Sequence, residues 1–238
     1  MSARCYVPGA EWSDETMTLG RETSHHLARV LRVQQGDTVE LFNGAGDAAE
    51  AEVTDVAKRA VNIRVTRRWN TPRPMPDITL VQALIRPQPM DYVLRKATEL
   101  GVSTVQPVLT ERCVARTQER PERWVKTVVS AAEQCGANWL PKVRPVLNWA
   151  ELLAGTGEYD RVLVCSLSET ARPLKEVLRE RNDLRRVAAW VGPEGDFTPD
   201  EARAALDAGA TPVSLGALTL RAETAALFVM AALRYEFG

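Results

Sequence analysis

Apolar and polar residues alternate at period two in three short runs, 38–42, 49–53 and 60–65. That period predicts half-buried β-strands, and Asn43-Gly44-Ala45-Gly46-Asp47 supplies a turn between the first two. Together they read as a small β-barrel or half-barrel. One helix interrupts them: Ser24 is placed to cap 25–32, Leu27, Val30 and Leu31 share a face, and 34–37 stops it. Pro72, Pro74 and Pro76 then remove backbone donors and disfavour helix, which predicts an extended connector. The reading is a first domain over 1–70, a proline-rich linker over 71–77 and a second domain over 78–238.

Beyond the linker the rhythm changes to strands separated by helices. A nearly continuous apolar strand over 78–85 precedes a helix over 91–100 that ends at Gly101, and a strand covers 102–109. A helix near 123–134, strands at 161–167 and 187–191, a helix over 199–208, a strand at 212–215 and a final helix from Ala222 follow. This alternation predicts an α/β domain whose mainly parallel sheet is covered on both faces.

Composition narrows the function more by exclusion than by assertion. Of 238 residues, 45% are hydrophobic and 26% charged, which excludes global disorder and low-complexity scaffolds. The longest nearly uncharged run, 225–233, is far shorter than the roughly 18–20 residues that cross a bilayer. Glu11, Asp14 and Glu15 arrive where the apolar part of a secretory signal would lie, so the expected location is the cytoplasm, with no membrane partner. Cys5, Cys113, Cys135 and Cys165 are scattered without a CxxC pair and read as buried or inert thiols; with only two histidines, no metal is expected. Net charge is −1, yet 25 of the 30 basic residues are arginine, and 71–150 carries eleven basic residues against seven acidic. A polyanion partner must therefore be met by a local patch.

Ligands of parallel sheets bind beyond the carboxyl ends of strands, and two turns stand out there. Gly192-Pro193-Glu194-Gly195 follows an apolar strand, with glycines that permit close backbone approach and a proline that stiffens the turn. Its exit, Thr198-Pro199-Asp200-Glu201, is a full capping box. The second turn, 215–221, puts Arg221 at the positive end of the last helix, where a cation disfavours stability and so suggests a use; an ion pair with Glu223 is the structural explanation. Neither turn carries a P-loop lysine or a GxGxxG, which disfavours nucleoside triphosphate and dinucleotide sites of those types.

Taken with Lys96-Ala97-Thr98-Glu99-Leu100-Gly101-Val102, Thr110-Glu111-Arg112 and Glu133-Gln134, these turns resemble the RsmE family of bacterial methyltransferases, which modify N3 of a uridine in 16S ribosomal RNA and belong to the SPOUT superfamily. His26, Val30-Leu31-Arg32, Gly36 and 42–46 are similar to that family's PUA-like RNA-binding domain. The resemblance implies a C-terminal SPOUT α/β domain with a deep trefoil knot, a PUA-like N-terminal barrel, S-adenosylmethionine as cofactor, the small ribosomal subunit as substrate and an obligate homodimer. Cofactor-binding walls are implied at Leu167 and Ser168, at Gly192, Pro193, Glu194 and Gly195, and at Leu215, Gly216, Leu218, Leu220 and Arg221. Backbone groups can read the adenine edge while the leucines hold its ring. RNA contacts are expected from Arg4, His26, Arg29, Arg32, Arg112 and Arg116.

Arg221 is the candidate catalytic residue, a donor for charge on the uracil oxygens, with Glu194 or Glu223 or water taking the imide proton. One departure from the family pattern is Cys135-Gly136-Ala137-Asn138: the family has Glu-Gln-Ser with an arginine shortly after, so that arginine's work passes to Asn138 or Arg144. Two rival readings stay open, a non-catalytic PUA-like ribosome-assembly protein and a SPOUT methyltransferase acting on another RNA nucleoside.

Overall fold

A computed structural model describes residues 3–9, 15–57, 60–114, 121–181 and 183–238. The chain groups into two compact units, one of residues 1–73 with 129–140 and one of 74–128 with 141–238.

In the first unit β1 (Ala3–Tyr6), β2 (Thr16–Thr18), β3 (Thr38–Phe42), β4 (Asp47–Val56) and β5 (Val61–Asn70) form one sheet in the order β1-β3-β4-β5-β2. β1 runs parallel to β3; the other pairs are antiparallel. The period-two pattern buries Val39 and Leu41, Ala49, Ala51 and Val53, and Val61, Ile63 and Val65 in one core with Cys5 and Leu27. A bulge between Glu50 and Ala51 shifts the register against β5. Beyond it Phe42 and Ala48 join a second cluster with Ala132, against which Tyr6, Trp69 and Leu140 pack.

The helical segment departs from its expected form. Its first part, α1 (Arg21–His25), begins after Gly20, and a π-helical turn spans His26–Leu31 before Arg32 closes it at φ 57°. Ser24 therefore caps nothing: it is buried inside α1, where its hydroxyl donates to the Leu19 carbonyl at 2.9 Å and accepts the Val61 amide at 3.0 Å. Residues 129–140, read from sequence as part of the second domain, belong to this unit. The 43–47 turn receives them closely: Gly46 donates to the Asn138 carbonyl at 3.0 Å and Leu140 to that of Gly44 at 3.0 Å. Gly46 lies at φ 97°, and a Cβ there would stand 2.8 Å from the Trp139 ring.

The second unit carries β6 (Asp77–Ala83), α2 (Pro87–Glu99), β7 (Thr104–Leu109), α3 (Pro121–Cys135, whose residues from Val129 group with the first unit), β8 (Lys142–Val143), β9 (Leu147–Asn148) and α4 (Trp149–Ala154). There follow β10 (Arg161–Cys165), β11 (Arg172–Pro173), α5 (Leu174–Leu178), β12 (Arg186–Val191), α6 (Pro199–Asp207), β13 (Thr211–Ser214) and α7 (Ala222–Phe237). All pairings are parallel, in the order β11-β13-β10-β12-β6-β7-β8, with β9 also on β7. The fold is thus the expected mixed α/β domain with a separate β-rich unit. α2 starts four residues earlier than its periodicity suggests, because Pro87 is suited to the first helical turn. Cys5, Cys113 and Cys165 are buried as expected, whereas Cys135 is exposed at the end of α3.

Candidate active site

The strand order explains where a ligand can sit. β13, β10, β12 and β6 are consecutive and parallel, so their carboxyl ends open on one edge of the sheet. The turns leaving them line one cavity of about 600 Å³, walled by Leu167 and Ser168 after β10, by 192–194 after β12, by 215–221 after β13 and by Arg86 after β6. That volume lies within the usual range for small-ligand sites of roughly 300–1,000 Å³.

The turn after β12 is folded onto itself. A Cβ on Gly192 would stand 3.0 Å from Asp196 Oδ1 and 3.2 Å from the Phe197 amide nitrogen, so only glycine fits without displacement. Asp196 adopts φ 60°, uncommon for a residue with a side chain, and its carboxylate accepts the Phe197 amide at 2.8 Å. Phe197 is anchored in turn: Trp149 of α4 packs against it at 5.2 Å and against Trp190 of β12 at 5.6 Å. The Thr198–Glu201 capping box is formed in both directions. Gly195 is not among the residues lining the cavity; its carbonyl accepts from Arg112 Nη1 at 2.8 Å.

The third wall is more open. Gly216 lies at φ 125°, where the chain turns away from β13. Leu218 is 79% exposed and Leu167 63%, so two apolar side chains face solvent at the cavity. A flat aromatic ring between them would cover apolar surface that the chain leaves uncovered. Arg221 is the N-cap of α7 and exposed; among the described residues it forms no ion pair with Glu223, contrary to the pairing offered by the sequence. At the floor, burial and then the nearby Asp196 push the Cys165 thiol up to about 12, which keeps it protonated and a poor nucleophile.

These features fit S-adenosylmethionine. Glycine-bounded backbone, two exposed leucines and the cavity's volume suit an adenosine, while Glu194 and Asp196 offer carboxylates toward a cationic ligand.

The proposed RNA contacts fare unevenly. His26, Arg29 and Arg32 lie three residues apart on one segment, with both arginines exposed and His26 half-buried. Arg4 does not share that freedom. Its side chain is 8% exposed, pairs with Glu40 at 2.8 Å, donates to the carbonyls of Ala132 at 2.6 Å and Ala137 at 3.1 Å and to Asn138 Oδ1, and lies 4.0 Å over the Phe42 ring. It is a structural clamp, and the expectation of a phosphate contact is corrected. Asn138 is equally committed, since its amide donates to Thr71 Oγ1 at 2.8 Å, so it cannot replace a mobile arginine. Arg112 remains exposed while it braces the carbonyls of Gly195 and Phe197. Arg116 lies outside the described residues.

Sequence reasoning missed Arg86, because nothing in the run before Pro87 marks it as facing the same cavity as Arg221. It also did not bring together Cys5, His26 and Glu133, each of which places a donor atom within 4.8 Å of the others. Burial and then Glu133 raise that thiol to about 12.

Comparison with known proteins agrees with this geometry. A family model described as an RNA methyltransferase domain matches residues 71–234, and one described as an RNA methyltransferase PUA domain matches 19–66. The ribosomal RNA small subunit methyltransferase E of Synechocystis is 33% identical, over 97% of this chain and 77% of that protein. Its namesake from Mycobacterium tuberculosis is 34% identical, over 87% and 81%. A crystal structure of the Neisseria gonorrhoeae ribosomal RNA small subunit methyltransferase E bound to S-adenosylmethionine superposes with a TM-score of 0.90 at 33% identity, covering 100% of this chain and 98% of that one.

Proposed function

The chain belongs to the ribosomal RNA small subunit methyltransferase E family and is an S-adenosylmethionine-dependent RNA methyltransferase; on that premise we propose that its product is an N3-methylated uridine in 16S RNA. The observation that carries the reading is Arg221, an exposed guanidinium without an ion-pair partner among the described residues, on the wall of the cavity built from the strand-end turns.

N3 of uracil is an imide nitrogen, so its proton must leave before the lone pair can attack. Bound S-adenosylmethionine supplies a methyl group on a sulfonium that is its own leaving group. The N3 proton passes first to water or to Glu194 or Glu223, and as the N3–CH₃ bond then forms the S–CH₃ bond breaks with its electron pair left on sulfur. Arg221 stabilises the charge that appears on a uracil oxygen; a fixed donor of this kind typically contributes about 10²–10³ in rate. The rest of the work is positioning. The 192–195 turn, with Gly192, Pro193 and Glu194 on the cavity, holds the cofactor along its backbone, Leu167, Leu215, Leu218 and Leu220 hold the adenine, and Gly216 lets the third wall turn.

Arg29, Arg32 and Arg112 meet RNA phosphates, a role supported by their exposure, and His26 donates to RNA beside them; His26, Arg29 and Arg32 fall within the PUA match. The active form is a homodimer acting in the cytoplasm; the dimer is supported by α7, which exposes the large side chains of Phe228 and Tyr235 outside its buried face. The test is methyl transfer from labelled S-adenosylmethionine to small subunits from cells lacking the protein, with nucleoside mass spectrometry. 3-Methyluridine supports the reading; another methylated nucleoside overturns it.

A further inference from the structure

The cavity contains a second exposed guanidinium that the mechanism above leaves idle. Arg86 follows β6, is the N-cap of α2, and lines the same cavity as Arg221 from the opposite end of the strand series β13-β10-β12-β6. Its side chain is 69% exposed, and Nε lies 3.5 Å from Glu194 Oε1. That separation is longer than a charge-assisted hydrogen bond, which leaves the Nη groups available while the carboxylate orients the fork.

Loss of the imide proton spreads negative charge over two oxygens, O2 and O4, one on each side of N3. A single donor stabilises only one of them. Two donors from separate elements can meet both and still leave the lone pair of N3 clear for the methyl group. We infer that Arg86 is a second anion-stabilising residue, which takes one uracil oxygen while Arg221 takes the other, and that the pair selects uracil over cytosine. Cytosine carries an amino group in place of O4, so one guanidinium would face a donor instead of an acceptor and remain unpaired in the site. Glu194 is then a positioning residue for Arg86, and its use as proton acceptor becomes unnecessary, since water suffices. This inference rests on the uridine-N3 reading.

The test compares Arg86→Gln and Arg86→Lys with wild-type enzyme on small subunits from cells lacking the protein, grown with or without 5-fluorouracil. Fluorine at C5 acidifies the imide and lowers the demand for charge stabilisation. The expected result is a loss of about 10²-fold in turnover for Arg86→Gln and a partial loss for Arg86→Lys. S-adenosylmethionine affinity by calorimetry stays within twofold. The rate inflection moves to higher pH, and on fluorinated subunits the variant recovers at least tenfold relative to wild type. Wild-type turnover in Arg86→Gln overturns the inference. So does an equal loss on both substrates accompanied by weaker cofactor binding or a lowered melting temperature, because that marks a structural role. A wild-type product other than 3-methyluridine refutes the underlying reading instead, and is read from the same samples.

Discussion

Glu201 accepts the backbone amide of Glu111 at 2.8 Å across 90 residues of chain. Its other oxygen takes the Thr198 amide at 2.9 Å, so one buried carboxylate joins the turn after β7 to the start of α6. Glu201→Ala removes the capping partner and strands a part-buried amide, a loss of about 1–3 kcal/mol. The unfolding midpoint in urea should fall accordingly, with Glu201→Gln intermediate because it keeps one acceptor. An unchanged midpoint in the alanine variant contradicts this role.

Gly192→Ala is the sharpest probe of the cofactor turn. Its new methyl meets the Asp196 carboxylate and the Phe197 amide, and Asp196 is already in a sparsely populated conformation. The expected outcome is at least a tenfold weaker S-adenosylmethionine affinity by calorimetry, with RNA affinity unchanged. Tight cofactor binding in the variant would show that the turn can open at little cost.

Arg4 and the Arg29/Arg32 pair should separate stability from RNA affinity. Arg4→Ala leaves the Ala132 and Ala137 carbonyls and Glu40 without their donor, a loss of about 2–4 kcal/mol that appears as a lower melting temperature. Arg29→Ala with Arg32→Ala changes two exposed side chains, so melting should hold while RNA affinity drops and its dependence on salt becomes shallower by close to two phosphate contacts. The opposite assignment, with Arg4 controlling the salt slope, would restore it as an RNA contact.

Two buried thiols make alkaline stability informative. Cys5 and Cys165 are each raised from 9.0 to about 12 in the folded protein, first by burial. The unfolded chain ionises them at lower pH than the folded one, so their contribution is complete below pH 9 and is lost as pH rises toward 12. Each thiol costs about 1.4 kcal/mol per pH unit within that window. Urea unfolding of Cys165→Ala between pH 8 and 10.5 should give a shallower decline than wild type; parallel curves would contradict the assignment.

Much of the second unit is legible because its central strands, β6, β7, β10 and β12, are buried on both faces and its longer helices on one. Continuous apolar runs predict β6 and β12, while Pro199 with the Thr198–Glu201 box predicts the start of α6. The sequence reading has no helix at α4, although Asn148-Trp149-Ala150-Glu151 is also a capping box, formed with Glu151 accepting the Asn148 amide at 2.8 Å. Its six residues fall below the length at which periodicity speaks, yet Trp149 is what holds Phe197. Ser24 misleads for a different reason: a serine before an apolar helical stretch looks like a cap, and only tertiary pairing with Leu19 and Val61 reveals a buried hydroxyl. Residues 129–140 were assigned by chain order, whereas the 43–47 turn claims them through contacts remote in sequence. Arg86 and Arg221 are 135 positions apart, and only the strand order places them on one cavity.

That strand order also sets a timetable for synthesis. β12 enters between β10 and β6, and β13 enters between β10 and β11, so each later strand fills a place left by earlier ones. A nascent chain that has emerged only to residue 214 has Arg86 and the 192–195 turn but no third wall and no Arg221. The cavity therefore stays incomplete until residues 215–221 have emerged, and a product terminated before them lacks both the third wall and Arg221.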